Sequence, residues 1–316
     1  MSKAAVASTV GKQAVEKGRP VLKKSIELIQ ENEEEIKKAH KILKETGAYE
    51  KMLEETLDHF DEGEDVKEVM NKFKAMEMEE LKDLEIGIQE IQTIIENEEQ
   101  VYQYVERVIS IIANLEQSHE SEEKDINAHI QKFKETRNAE HLEAAFKEEI
   151  DSIETLHEEA ELATDVTEII ERAIHQVEEI KELEEIESEE VAEQESIYRK
   201  EGELFMSGEQ DFLNEVKTDQ QKEHDQIDKE RSETRKIVKL NSKELNQLEE
   251  ELKRMLEEAK TDKENVGRII NSYKESSMNF QDGDRLIQRL NEAESMLEQD
   301  IEKIEEALNV INQEVS

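Results

Sequence analysis

Two pairs of residues in this chain carry a spacing that metal chemistry uses. Glu116 with His119, and Glu154 with His157, stand three apart, which on a helix sets a carboxylate and an imidazole on one face. Carboxylate-bridged metal centres in four-helix proteins are built from such pairs, completed by acids on partner helices. Glu55/His59 and Glu171/His175, four apart, share a face in the same way. The chain holds 84 Asp and Glu beside eight His, and so many acids place about this number of pairs by chance. His157 also adjoins the apolar position Leu156 without replacing it. We therefore read all four pairs as solvated helix faces and expect no catalytic residue, no metal and no cofactor.

Other reaction machinery is missing from the sequence. There is no Cys, hence no thiol nucleophile and no disulfide, which suits a reducing, cytoplasmic setting. No Gly-rich phosphate loop, G-x-S-x-G turn or H-E-x-x-H helix occurs. A formal charge of −42 repels nucleic acid from nearly every face. No run of apolar residues is long enough to span a bilayer, and Ala4 to Ala7 is too short for a signal peptide.

What must position any functional group is a set of long helices. Charged residues make up 40% and apolar ones 35%, with a single proline; that is enough for one narrow stripe per helix and too little for a thick core. The expected fold is all-α and elongated, a long-helix bundle or antiparallel coiled coil with a long helical hairpin. Leu81, Ile88, Ile95, Tyr102 and Ile109 recur as heptad a, and Leu84, Ile91, Val105 and Ile112 as d. Ile94, Val101, Val108 and Leu115 add a third row on g, so this helix, 64–117, reads as the centre of the bundle. Glu98 interrupts the d row. We expect the helix to roll so that Glu98 reaches water; the alternative is a polar core position that sets register.

The chain divides accordingly. Residues 1–24 form a basic, mobile arm: Lys3, Lys12, Lys17, Arg19, Lys23 and Lys24 stand against Glu16 alone. Residues 25–136 carry the N-terminal helices; Pro20 suits the first turn of the first of them, which has Leu22, Ile29, Ile36 and Leu43 on one row and a stop at Gly47. A hairpin spans 139–281, turning at Ser207-Gly208, with Asn138 capping its first helix. Its arms are each about 100 Å at 1.5 Å per residue. Their core-poor stretches, 184–196 and 217–236, face each other as a polar neck. The C-terminal helix, 284–316, packs back on the bundle through Ile287, Leu290, Leu297, Ile301, Ile304, Leu308 and Ile311, with a gap at Glu294.

These features point to a non-catalytic structural or interaction protein: a spacer, tether or scaffold acting through its helices, with self-association open to it. Ile197, Tyr198, Leu204, Phe205, Met206, Phe212, Leu213 and Val216 gather apolar groups at the hairpin tip and form a candidate partner contact. The alternative is a peripheral membrane-surface protein that touches anionic lipid weakly through the arm.

Thin helices bearing a charge of −42 hold like charges within the Debye length, about 10 Å at 0.1 M salt. Thermal stability should therefore rise over the first few hundred millimolar NaCl. A melting temperature that stays flat or falls would mean attractive ion pairs outweigh this repulsion.

Overall fold

The computed structural model describes residues 3–58, 66–204, 210–276 and 283–314. Six helices follow in order: α1 Lys3–Asp58, α2 Val66–Ala113, α3 Glu116–Thr136, α4 Ala139–Leu204, α5 Gln210–Ser276 and α6 Gly283–Glu314. No strand occurs among the described residues, so the chain is an all-α helical bundle. It forms two compact units. Unit 1 gathers residues 1–26, 102–171 and 241–316; unit 2 gathers 27–101 and 172–240.

Unit 2 is a four-helix bundle. Asn32 of α1 meets Glu98 of α2, and Leu43 lies against Gly87, so these helices run antiparallel. Gln176 and Arg172 of α4 reach Ile29 and Glu33 of α1, and farther along Lys200 reaches Glu54, which makes α1 and α4 parallel. Glu184 meets Thr234 and Glu195 meets His224, so α4 and α5 form the antiparallel hairpin. Gln226 of α5 bonds Gln92 of α2 and closes the ring. The neck is thus not a bare two-helix stem. Val191 and Ile227 are buried in it, and α1 and α2 pack against it as well.

In unit 1 the helix with the widest buried face is α4, where Ser152, Ile153, Thr155, Leu156, Glu159 and Ala160 are all buried. It touches α1 through Gly18 and Leu162, α3 through His119 and Glu159, α5 through Phe146 and Tyr273, and α6 through His157 and Asp300. The sequence puts the widest face on α2 instead. The difference arises because small and polar residues (Ser152, Thr155, Ala160) fill much of the buried surface of α4, and an apolar count does not register them.

The same substitution of small or polar residues for aliphatics runs along α1. Its buried stripe is Val15, Gly18, Leu22, Ser25, Ile29, Asn32, Ile36, Ala39, Leu43, Thr46, Glu50, Leu53 and Leu57, with steps of three and four throughout. One row is large and the other small, which lets neighbouring helices approach closely. Three expectations change here. Residues 13–24 are packed helix rather than a separate arm, Pro20 lies inside α1 rather than at its start, and the helix runs through Gly47. A side chain at position 47 would put a Cβ 2.7 Å from the Glu190 carboxylate, the movable end of that side chain, so this glycine neither ends the helix nor is fixed by rigid packing.

Between α2 and α3 the stripe does not break. Leu115 keeps a right-handed helical backbone, its N–H donates to the Ile112 carbonyl at 2.9 Å, and the spacing Ile112, Leu115, His119, Glu122, Ile126 carries on. The true corner comes at Arg137, in the left-handed region at φ 56°, after which the Asn138 side chain caps α4 by accepting from the Glu140 N–H at 3.1 Å.

On α6 the buried row is Leu286, Leu290, Ala293, Leu297, Asp300, Ile304, Ala307 and Ile311. Ile287, Ile301 and Leu308 flank this row, half-buried, and Ala293 fills the gap expected at Glu294. This register has a direct test in thermal or denaturant unfolding. Leu297→Ala and Ile304→Ala should each cost about 2–5 kcal/mol. Ile301→Ala should cost clearly less, while Ala307→Leu should destabilise by about 1–3 kcal/mol through overpacking. Equal losses at 301 and 304 would restore the register read from the sequence.

Candidate functional site

Side chains capable of chemistry are concentrated inside the two units. In unit 1, the α3 stripe delivers His119 and Glu122, the inner face of α4 delivers Glu149 and Glu159, and α5 delivers Glu258 and Asp262. His119 Nε2 lies 3.0 Å from Glu159 Oε1, and its Nδ1 lies 3.9 Å from Glu122 Oε2. Arg254 donates through Nη1 to both oxygens of Glu258, at 2.7 and 2.8 Å, and through Nε to Glu251 at 2.9 Å. Burial pulls the imidazole of His119 down, but the adjacent Glu159 carboxylate outweighs it and holds the pKa at about 9. Burial pushes Glu122 and Asp262 up to about 7, and Glu149 well above the usual carboxylate range.

His119, expected on a solvated helix face, is instead buried against Glu122 and Glu159. His157, a quarter exposed, pairs with the buried Asp300 at 2.8 Å rather than standing in solvent. Position in the stripe decides this. His119 and Glu122 fall three apart where an aliphatic pair would ordinarily sit, and that is the signal sequence reading passes over.

Unit 2 holds a second set. Glu98 is fully buried, its Oε1 accepting from Asn32 Nδ2 at 2.8 Å, and Asn32 Oδ1 in turn accepts from Asn97 at 2.9 Å. Gln176 completes the layer by donating to the Ile29 carbonyl at 2.8 Å. The helix therefore does not roll Glu98 outward; the polar core position is the one realised. Burial lifts its pKa to about 8 against the opposing Asn32 bond. Farther along, Glu184, Glu187, Glu223 and Glu230 occupy stripe positions of α4 and α5, with Glu50 of α1 and Glu80 of α2 facing them. Burial, reinforced by Glu230, Glu184 and Glu223, drives Glu187 to about 9, while burial and its partner Glu190 drive Glu50 to about 11.

The residues singled out at the sequence level are not brought into these clusters. Ile197 is buried against Leu53, Leu57 and Phe73, and Tyr198 is buried beside it in the chain. The side chains of Leu204, Phe205, Met206, Phe212, Leu213 and Val216, and of Lys3 and Lys12, lie outside the described residues, as does the turn at 207–208. Lys17 and Lys23 are exposed on α1. Arg19 pairs with Glu161 at 3.5 Å, and Lys24 stands 5.9 Å from the Tyr104 ring. Arg19 and Lys303 line a cleft of about 370 Å³ with Glu158, Glu161 and Asp165, so its field does not favour anions. Among the described residues, no helix is long and apolar enough to cross a membrane.

No known protein family matches the sequence. No curated protein matches it either. Similar solved structures include the de novo designed helical repeat protein DHR64, at 17% identity and TM-score 0.17, covering 87% of this chain and 99% of that one. The DHF58 filament matches at 15% identity and TM-score 0.17, over 86% and 99%. A chain from a computational design of self-assembling cyclic protein homooligomers matches at 10% identity and TM-score 0.18, over 89% and 99%. Superposition at this level adds nothing to the helical architecture already described.

The acids of unit 2 fix a pH dependence. An unfolded Glu releases its proton near pH 4.5, whereas Glu80, Glu98, Glu187 and Glu50 hold theirs to about 8, 8, 9 and 11. Between those limits the folded chain binds more protons than the unfolded one. Stability should then be highest near pH 5 and fall as pH rises toward 9, each group adding a slope of up to about 1.4 kcal/mol per pH unit. Glu187→Gln, which cannot ionise, should raise the melting temperature at pH 8 and leave it nearly unchanged at pH 5. Stability that climbs from pH 5 to 9 would mean these acids are ionised and paired in the fold.

Proposed function

We propose that the protein is a non-catalytic structural or interaction protein, a helical spacer or scaffold. We place its protein contact at the end of unit 2 where α4 leads into α5. The observation that carries this reading is a pair of methionines. Met52 and Met78 are the large apolar side chains left exposed among the described residues, at 52% and 67%. The antiparallel register that sets Asn32 opposite Glu98 and Leu43 opposite Gly87 also sets Met52 opposite Met78. The Lys200–Glu54 ion pair brings that level to the beginning of the candidate tip segment. Methionine suits a contact surface because its flexible, polarisable side chain adapts to different partners. A non-catalytic role is further supported by where the titratable groups lie. His119, Glu122, Glu149 and Glu159 are at most 5% exposed, out of reach of a substrate in solution.

A second copy of the chain is the first partner to test, by sedimentation velocity over a concentration series. The double variant Met52→Glu/Met78→Glu should fold with stability within about 0.5 kcal/mol of the parent, since both sites are exposed. It should lose the association that the parent gains with concentration. If the parent stays monomeric, photo-crosslinkers at 52 and 78 should capture a specific protein in the native host. Failure of both experiments would sink this reading.

A further inference from the structure

The acid layer of unit 1 carries more negative donors than its cations satisfy. Five carboxyl groups, on Glu122, Glu159, Glu251, Glu258 and Asp262, surround His119 and Arg254, while Glu149 adjoins Asp262 on the side of Arg268. Burying like charges together is costly unless protons or a cation neutralise them. We propose that His119, Glu159 and Glu258 bind one divalent first-row transition-metal ion, with Glu122 as the next ligand.

Geometry brings the first three together. One donor atom from each lies within 4.8 Å of the other two, and the three come from α3, α4 and α5. Metal–nitrogen and metal–oxygen bonds of about 2.0–2.2 Å would draw those donors to roughly 3–3.5 Å apart, a change that side-chain rotation supplies. His119 Nε2 and Glu159 Oε1 already stand 3.0 Å apart.

Glu122 gives an independent sign of a ligand. It is 1% exposed, its Oε2 is directed toward His119, and neither oxygen accepts a hydrogen bond of ordinary geometry, the nearby Ser152 included. Glu159 Oε2 likewise accepts no hydrogen bond, with Arg254 Nη2 3.9 Å away. A buried carboxylate that accepts nothing is a costly arrangement in isolation and an ordinary one beside a cation. Arg254 fits as an outer support: Glu258 can give one oxygen to the ion and keep the other on Nη1, while Nε holds Glu251. A mixed imidazole and carboxylate set suits zinc, manganese or iron rather than an all-oxygen calcium cage. Such an ion would tie three helices of unit 1 together, independently of any contact at Met52 and Met78.

The probes are Zn2+ and Co2+ added to the chelator-treated full chain at pH 7.5 in excess Mg2+, which occupies weak surface acid sites. Calorimetry should show one equivalent bound, Co2+ should develop visible absorption, and Zn2+ should raise the melting temperature. Glu122→Gln should weaken binding about tenfold or more, as should His119→Gln. Glu258→Gln alters the partly exposed member, so it keeps the test decisive if His119→Gln does not fold. Glu98→Gln, in the other unit, should change nothing. Binding that is weak, takes several equivalents and is abolished by Mg2+ would overturn the site, as would binding that survives Glu258→Gln. In that event protons alone neutralise the layer.

Discussion

Thirteen Asp and Glu side chains are buried among the described residues, and no Lys or Arg is buried with them. Everything else in the structure has to accommodate that imbalance. An isolated carboxylate cannot remain charged in a helix interior at acceptable cost, so each acid must take a proton, find a charged or hydrogen-bonding partner, or both. The molecule uses all of these. Glu98 is held by Asn32, Glu184 accepts from the Thr234 hydroxyl, Asp300 pairs with His157, and Glu50 faces Glu190. Folding is therefore coupled to proton uptake, and the folded chain carries less negative charge near neutral pH than its formal −42.

The stripes that bury these acids are continuous. Along α5 the buried positions run Glu223, Ile227, Glu230, Thr234, Ile237, Asn241, Leu245, Leu248, Leu252, Met255, Ala259, Asp262, Val266 and Ile269, with steps of three and four. Packing is as regular in the polar half as in the apolar half; only the chemistry changes. A heptad in which acids replace aliphatics still excludes water, and exclusion of water is what shifts their proton affinities. Regular geometry and perturbed titration are thus one feature of the sequence seen at two levels.

Helix type, helix order and the antiparallel hairpin were legible because charge and heptad spacing mark long helices whatever fills the core. The hairpin register was legible too: the stretches 184–196 and 217–236 are expected to face each other, and the Glu195–His224 and Glu184–Thr234 contacts join them. The rows themselves were misread wherever an aliphatic stood one residue from the true position. Ile287 drew attention from Leu286, and Ile301 from Asp300. Sequence reading scores apolar character, whereas packing on a crowded face selects size. His119 and Glu122 were hidden for the same reason, since their place in the stripe shows only when it is followed through Leu115 across the α2–α3 junction.

Why a core should carry such groups follows from what an all-aliphatic stripe leaves undetermined. Helices joined by Leu and Ile alone can slide by one heptad and bury nearly the same surface. Here, moving α2 by seven residues against α1 would set Asn32 opposite Ile91 in one direction, or Glu98 opposite Ala39 in the other. The Asn32–Glu98 bond and the Asn97 bond behind it would both be lost, leaving buried polar groups unsatisfied at about 1–3 kcal/mol each. The same slide on α4 would part Gln176 from the Ile29 carbonyl and Glu190 from the space that Gly47 leaves open. These layers lie at uneven intervals along the helices, so no single shift satisfies them together. Buried acids weaken the core by their desolvation, and in exchange they leave the long helices one register in which to pack.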